Sequence, residues 1–297
     1  MSIKNTFVSR FGEQGAMVEM DYSQLEVIGL AILSDDKQLK QDIRDGLDLH
    51  CANTAQLYGA DYNFVVNQVA MNDTEWVKRR KVVKIFSFQL QYGAGARTMA
   101  ESAGVTIDEA KKFIDAYYSR YPQVKLWQDS NIEVVESHKV PTNKKTYRGY
   151  PASRSILRAA TGREYAFYEQ DAPNFMREWG TMTSFSPTQI KNYPVQGFST
   201  GDVVPLALGM INRYIIENQI EKSVVLCNTV HDSFIFDVNL ENENLDHLRN
   251  IKWILEDIPS LVNDLWPAVH FDLPLSVGVE MGPSWGEVKP FDLGEEN

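Results

Sequence analysis

The stretch that most constrains this 297-residue chain is residues 78–93, which runs from Lys78 to a Tyr92-Gly93 pair. Plotted at about 100° per residue, Val82, Val83, Phe86 and Leu90 share one face of a helix. Arg80, Lys84, Phe88 and Tyr92 wind down the opposite face. This second set recurs every fourth residue, a rise of about 6 Å per step, so Arg80 to Phe88 spans roughly 12 Å. That is the reach from the phosphates of a nucleoside triphosphate to its base. Cations at one end and aromatic rings at the other suit such a ligand, charge for phosphate and a flat ring for a base. A solvated basic helix start followed by core aromatics is the other reading of the same pattern. Tyr92-Gly93 closes the helix, with glycine supplying the residue beyond the cap.

Elsewhere the pattern alternates between short strands and helices. Residues 16–20 read as a mostly apolar strand ending at Asp21, and residues 25–33 as a largely buried helix. At the corner between them, Ser23 and Glu26 have the spacing of a capping box, which would account for Glu26 without catalysis. Residues 35–46 look like a solvated, charged helix. Asp48 is an N-cap candidate with His50 just inside the helix it opens. Residues 58–75 are polar and irregular. Thr106 and Glu109 form a second capping box before a helix through Phe113 and Tyr117. Pro122 interrupts it, and a further helix reaches about Ser137. Residues 138–179 are locally basic at Lys144, Lys145, Arg148, Arg154 and Arg158, with a strand expected over 163–168. Asn192 and Gln196 lie four apart around Pro194. They are either solvated amides at a proline-marked turn or donors to the minor-groove acceptors that every base pair presents. A helix then runs to about Glu217. Residues 224–230 and 234–238 read as strands joined at His231-Asp232-Ser233, without the Asn-Gly or Asp-Gly that tight hairpins prefer. A helix over 242–257 and a closing strand over 273–280 complete the chain.

Taken together, these segments resemble family A DNA polymerases, the bacterial DNA polymerase I and phage replicase type. Arg80, Lys84, Phe88 and the Tyr92-Gly93 pair match the nucleotide-binding helix of the fingers. Asp21-Tyr22-Ser23-Gln24-Leu25-Glu26 looks like the first catalytic motif, Asn192 to Gly197 like a primer–template signature, and Val230-His231-Asp232 like the third catalytic motif. The resemblance implies that Asp21 and Asp232 bind two Mg²⁺ ions, or Mn²⁺. It makes Arg80 and Lys84 the grip on the triphosphate, and packs Phe88 on the incoming sugar and base with Tyr92 near the template. Glu26 would close the space a ribose 2′-hydroxyl needs, and His50 would lie beside the nucleotide. Asn192 and Gln196 would touch primer–template DNA, with His231 by the primer terminus. The basic residues of 138–179 are then either a solvated loop or a contact to template phosphates. Two positions depart from the pattern. Ser87 stands where many members carry Asn, and Ser233 replaces the usual Glu, removing an accessory carboxylate.

The implied fold is α+β, an antiparallel palm sheet with a helical fingers subdomain, the thumb and exonuclease being absent. Residues 1–58 would begin the palm with the first catalytic motif, 59–137 form the fingers, and 138–297 complete the palm with the third. A second polypeptide carrying the thumb, and an exonuclease if there is one, is the expected partner beside primer–template DNA and deoxynucleotides. A split phage polymerase gene would account for it. Two other readings stand: a single-subunit RNA polymerase relative, against which Glu26 speaks, and a non-catalytic replication subunit that keeps the fold. Composition agrees with an ordinary globular protein, at 43% hydrophobic and 23% charged. The net charge of −11 argues against generalised binding to a phosphate backbone, leaving residues 78–84 as a local basic groove. Cys51 and Cys227 have no metal-type spacing and fit a reducing cytoplasm, including that of a phage host. The longest apolar run, near 27–33, is too short to span a bilayer.

Overall fold

A computed structural model describes residues 2–294. In chain order it forms β1 (Gly15–Tyr22), α1 (Leu25–Ser34), α2 (Lys37–Arg44), α3 (Leu49–Tyr58), α4 (Tyr62–Ala70) and α5 (Thr74–Gln91). Then come α6 (Ala96–Ala103), α7 (Ile107–Arg120), α8 (Pro122–Ser137), β2 (Val140–Lys145), β3 (Pro151–Arg158) and β4 (Glu164–Tyr168). These are followed by β5 (Gln170–Asp171), α9 (Asn174–Glu178), β6 (Thr183–Ser184), α10 (Pro187–Phe198) and α11 (Val204–Glu217). The chain finishes with β7 (Val224–Val230), β8 (Ser233–Asn239), α12 (Asn242–Glu256), α13 (Ile258–Leu265), β9 (Val277–Gly282) and β10 (Lys289–Pro290). The expected α+β class with antiparallel sheets is what forms. The chain divides into two compact units, residues 1–27 with 197–297, and residues 28–196.

The first unit is built on a five-stranded antiparallel sheet in the order β10-β9-β1-β8-β7. Side chains alternate between the faces of a strand, so β1 divides its residues by parity. Val18, Met20 and Tyr22 go to the core face with Phe234, Phe236 and Val238 of β8, all essentially buried. Tyr22 packs edge-on to Phe234, and its hydroxyl donates to the Leu255 carbonyl at 2.9 Å. The same parity sends Met17, Glu19 and Asp21 to the opposite face, where Met17, Ile235 and Trp285 make a small second cluster. The closing strand begins at Val277 rather than at residue 273, because the segment before it runs into the sheet as irregular chain.

The second unit is mainly helical. Its aromatic core runs from Phe86 of α5 to Phe113 of α7 at 5.1 Å and on through Tyr117 to Tyr121. Several elements differ from expectation. Residues 58–75 are not irregular: Asp61 caps α4, and Tyr62, Val65 and Val69 fold that helix against Cys51 and Ala55 of α3. The helix within 35–46 is not solvated either. Asp42 is 1% exposed, held by both the Arg120 guanidinium and the Tyr121 hydroxyl. Asp36 caps α2 through Leu39 and, with its other oxygen, accepts from Gln123 at the start of α8. The basic stretch after Ser137 is a three-stranded sheet, β2-β3-β4, with Leu157, Tyr165 and Phe167 packed on Val135 of α8 and Ile190 of α10. Thr106 and Glu109 do close the expected capping box. Ser23 and Glu26 do not. Gln24 takes a left-handed φ of 57°, so α1 starts at Leu25 and Ser23 lies outside the cap position.

Candidate active site

Asp21 reaches its place because β1 pairs on both sides. Asp21 lies opposite Ser233 of β8 and opposite Gly278 of β9. The β7–β8 hairpin closes on the Val230–Ser233 pair, so His231 and Asp232 form a two-residue turn. Such a turn needs a positive φ at its first position, where glycine is usual. His231 supplies it at 56°, an uncommon conformation for a residue with a side chain. The turn is tied to β1 by the Tyr22 amide, which donates to the Asp232 carbonyl at 3.3 Å. Asp21 and Asp232, more than two hundred residues apart, thereby meet at one end of the sheet.

Electrostatics there is like against like. Partial burial, then the charges of Asp232, Glu19 and Glu280, push the Asp21 carboxyl up to about 6. Burial also raises Asp232, against the opposing pull of His231. Glu19 lies on the same face as Asp21, and both its oxygens are held: Ser233 Oγ donates to one at 3.0 Å and Trp285 Nε1 to the other at 2.8 Å. Ser233 therefore does not leave this face short of carboxylate; it orients one from the neighbouring strand. Among the described residues no group of three or more His, Cys, Asp or Glu forms a ready-made metal cage. Two hard, mutually repelling carboxylates still fit Mg²⁺, which keeps several waters and takes further oxygens from a phosphate substrate. Glu26 sits in the first turn of α1.

The other expected residues gather in the helical unit. Asp73 caps α5 by accepting from Glu75 and Trp76. The helix buries Val83, Phe86 and Leu90 and turns Lys84, Phe88 and Tyr92 outward, with Phe88 44% exposed. Tyr92 ends it, and Gly93 turns with φ 76°. A Cβ on Gly93 would lie 2.7 Å from Thr188 Cα, and Thr188 Oγ1 donates to the Gly93 carbonyl at 3.1 Å. Only glycine allows this approach, which fixes the end of α5 against α10.

Arg80 is oriented by a residue that sequence patterning casts only as a cap. Asp48 accepts from the His50 and Cys51 amides through one oxygen and from the Arg80 guanidinium through the other. Burial alone would raise the Asp48 carboxyl, but the Cys51 amide and Arg80 outweigh it and hold it low. Asp48 is thus a fixed anion aiming a fixed cation. His50 packs its ring 5.7 Å from that of Phe88. Burial, helped by Arg80 and Lys84, lowers its pKa against the pull of Asp48. Its buried Nδ1 has no hydrogen-bond partner among the described residues. Lys84 Nζ lies 5.8 Å from the Phe88 ring. Arg80, Lys84, Phe88 and His50 therefore form one cluster with two cations, an exposed ring and an imidazole.

Asn192 and Gln196 are on a helix, not at a turn. Pro194 sits inside α10. Its ring removes one backbone donor, yet the helix passes through it and leads by a π-helical turn, Ser199–Val203, into α11. The two amides, four residues apart, share a face of α10.

A family model for DNA polymerase family A matches residues 1–287. DNA polymerase I of Chloroflexus aurantiacus is 27% identical over 294 residues, 98% of this chain and 26% of that protein. The DNA polymerase of Bacillus phage SP01 is 28% identical over 291 residues, 96% of this chain and 27% of its own length. The chain thus spans about a quarter of the curated relatives it matches. In fold it is similar to the polymerase domain of Pol1 from M. smegmatis, solved with DNA primer-template and dNTP. That match has a TM-score of 0.65 at 22% identity and covers 96% of this chain and 42% of the other.

Proposed function

Since the chain belongs to DNA polymerase family A, we propose that it is the catalytic part of a template-directed DNA polymerase. It would add deoxynucleotides to a primer 3′ end during replication. The observation that carries this reading is the convergence of Asp21 and Asp232 at the end of one sheet, where their charges repel and call for a cation. Asp21 and Asp232 would hold two Mg²⁺ ions, or Mn²⁺, which when bound stabilise the attacking and leaving oxygens of an in-line displacement.

The chain's own residues do the rest. Arg80, held by Asp48, and Lys84 neutralise charge on the triphosphate as pyrophosphate leaves. Phe88 offers an exposed face to the sugar and base, with Tyr92 one helical turn further on toward the template base. His50, packed against the Phe88 ring, lies beside the nucleotide on this reading. Glu26 fills the space beside the 2′ carbon. Asn192 and Gln196 read acceptors common to all base pairs along the primer–template minor groove, and His231 lies by the primer terminus.

On this reading residues 1–58 and 138–297 act as palm and 59–137 as fingers. The thumb, and any exonuclease, belong to a second polypeptide. Supporting that is a net charge of −11, which gives this chain little general attraction for DNA. Among the described residues no helix is long and apolar enough to cross a membrane. Action in the cytoplasm, in a host cell for a phage-encoded chain, goes with the same reading.

Primer extension tests it. Asp21→Asn and Asp232→Asn should each lower the extension rate by about a thousandfold or more, since each removes several kcal/mol of charge stabilisation through the ion. Circular dichroism should be unaltered. Extension at the unmodified rate by either variant would overturn the assignment. No Mg²⁺-dependent extension by the unmodified chain, with a thumb-bearing partner present, would favour the non-catalytic subunit instead.

A further inference from the structure

We propose that the outer face of the β2-β3-β4 sheet, together with the tip of its β2–β3 hairpin, seats single-stranded nucleic acid with an unpaired base stacked on Tyr147. This goes beyond the polymerase reading and does not depend on it.

Charge is the first observation. Residues 139–163 hold seven Lys or Arg and no Asp or Glu, in a chain whose net charge is −11. Lys139 is neutralised locally by Glu169 at 3.3 Å and Arg158 by Glu164 at 2.7 Å. The side-chain cations of Lys144, Lys145, Arg148 and Arg154 form no ion pair among the described residues. The register explains why they share a surface. Leu157 pairs with Tyr165 and Ser155 with Phe167 on the face packed against α8 and α10. Arg154 pairs with Tyr168 on the other, and Lys144 Nζ sits 4.0 Å over the Tyr168 ring.

The hairpin tip is the second, independent observation. Tyr147 is 102% exposed, so its ring packs on nothing among the described residues. Yet the turn that displays it is tightly held. Gly149, with φ 87°, donates its amide to the Thr146 carbonyl at 2.9 Å, and the Thr146 amide donates to the Tyr150 carbonyl at 2.9 Å. Asp171 of β5 clamps the turn from outside, accepting from Thr146 Oγ1 at 2.6 Å and from the Arg148 amide at 3.2 Å. A fixed backbone thus holds an unburied aromatic ring between Lys145 and Arg148.

Cations track phosphates without regard to sequence, and an aromatic face stacks any base that is not already paired. Inside a duplex both faces of a base are covered by its stacked neighbours, so the combination selects single strands over duplex.

The test is fluorescence anisotropy of a labelled dT20 strand, and of a blunt duplex of equal length, titrated with the full chain in EDTA. Tyr147→Ala should weaken dT20 binding by about fivefold or more while leaving the duplex within about twofold, and Tyr147→Phe should bind like the parent. Reversing Lys144, Lys145 and Arg148 to Glu together should flatten the dependence of log K on log salt for dT20 by about two. The proposal is overturned if Tyr147→Ala binds dT20 like the parent or weakens strand and duplex alike. It is equally overturned if the charge reversal changes nothing, or if an acidic peptide displaces dT20 at equal charge. Thermal melting of the same variants should match the parent, as all four side chains are on the surface. No primer, nucleotide or divalent ion is present, so failure here leaves the polymerase reading as it stands, and failure of Asp21→Asn to stop extension leaves this one.

Discussion

At Asp21, charge is crowded rather than paired. Its carboxyl ordinarily titrates near 3.8 and here near 6, from burial first and then from Asp232, Glu19 and Glu280. The folded chain therefore holds this proton more tightly than the unfolded chain. The stability this contributes is full below pH about 4 and is lost as pH rises through about 6. In EDTA, Asp21→Asn should raise the melting temperature above that of the parent at pH 8, and the gain should shrink toward pH 4.5. Saturating Mg²⁺ should remove much of the gain at pH 8, the ion taking the proton's place. A difference independent of pH would show that Asp21 feels no such crowding. Glu26 lies in the first turn of α1, outside any capping box with Ser23. With no capping box to lose, Glu26→Ala should leave stability within about 1 kcal/mol, the scale of a first-turn carboxylate on a helix dipole. Its effect should appear instead as more ribonucleotide incorporated against deoxynucleotide in competition assays, and unchanged sugar discrimination would argue against a gate.

Among the elements, α5 depends most on a single contact. Its apolar face holds it to Phe113, but its far end is set by the Gly93–Thr188 approach. Gly93→Ala places a side chain in left-handed backbone and drives its Cβ into Thr188. It should cost about 1–3 kcal/mol in urea denaturation. Because Tyr92 and Phe88 sit on the turn that shifts, the KM for deoxynucleotide should rise in the same variant. Normal stability with normal KM would mean that the end of α5 is not anchored here. At the other end, the Asp48 carboxylate binds the start of α3 to the middle of α5, so two helices share responsibility for aiming Arg80.

For the whole chain, the relation of charge to partner is decisive. A protein carrying −11 that works on a polyanion needs its cations concentrated, and they are, along α5 and across the β2-β3-β4 sheet. Among the described residues the strand β7 pairs only with β8 and forms one margin of the larger sheet. Unpaired strand margins accept further chain. Co-expression with a thumb-bearing polymerase chain should give a complex stable to size-exclusion chromatography that extends primers at least about tenfold faster than this chain alone. A monomer that binds primer–template tightly and polymerises unaided would dismiss the second polypeptide.

Local pattern alone determined much of this. The two faces of α5, the Asp48 and Thr106 caps, the glycine stop at Gly93, the strand that carries Asp21 near its end and the paired strands around Asp232 follow from helical and strand periodicity and from capping chemistry. Those depend on neighbours within a few residues, which a sequence displays. Tertiary structure decided what depends on partners far along the chain. Asp42 looks like a solvated helix residue until Arg120 and Tyr121 close over it. The Ser23–Glu26 spacing promises a cap, but pairing of β1 on both sides sets where the strand ends and leaves Gln24 to turn left-handed. Ser233 reads as a lost carboxylate until the register brings Glu19 to its hydroxyl. The basic segment after Ser137 has polar and charged side chains that mask its alternation. Only packing of Leu157, Tyr165 and Phe167 against α8 and α10 makes it a sheet, with one face left to its cations.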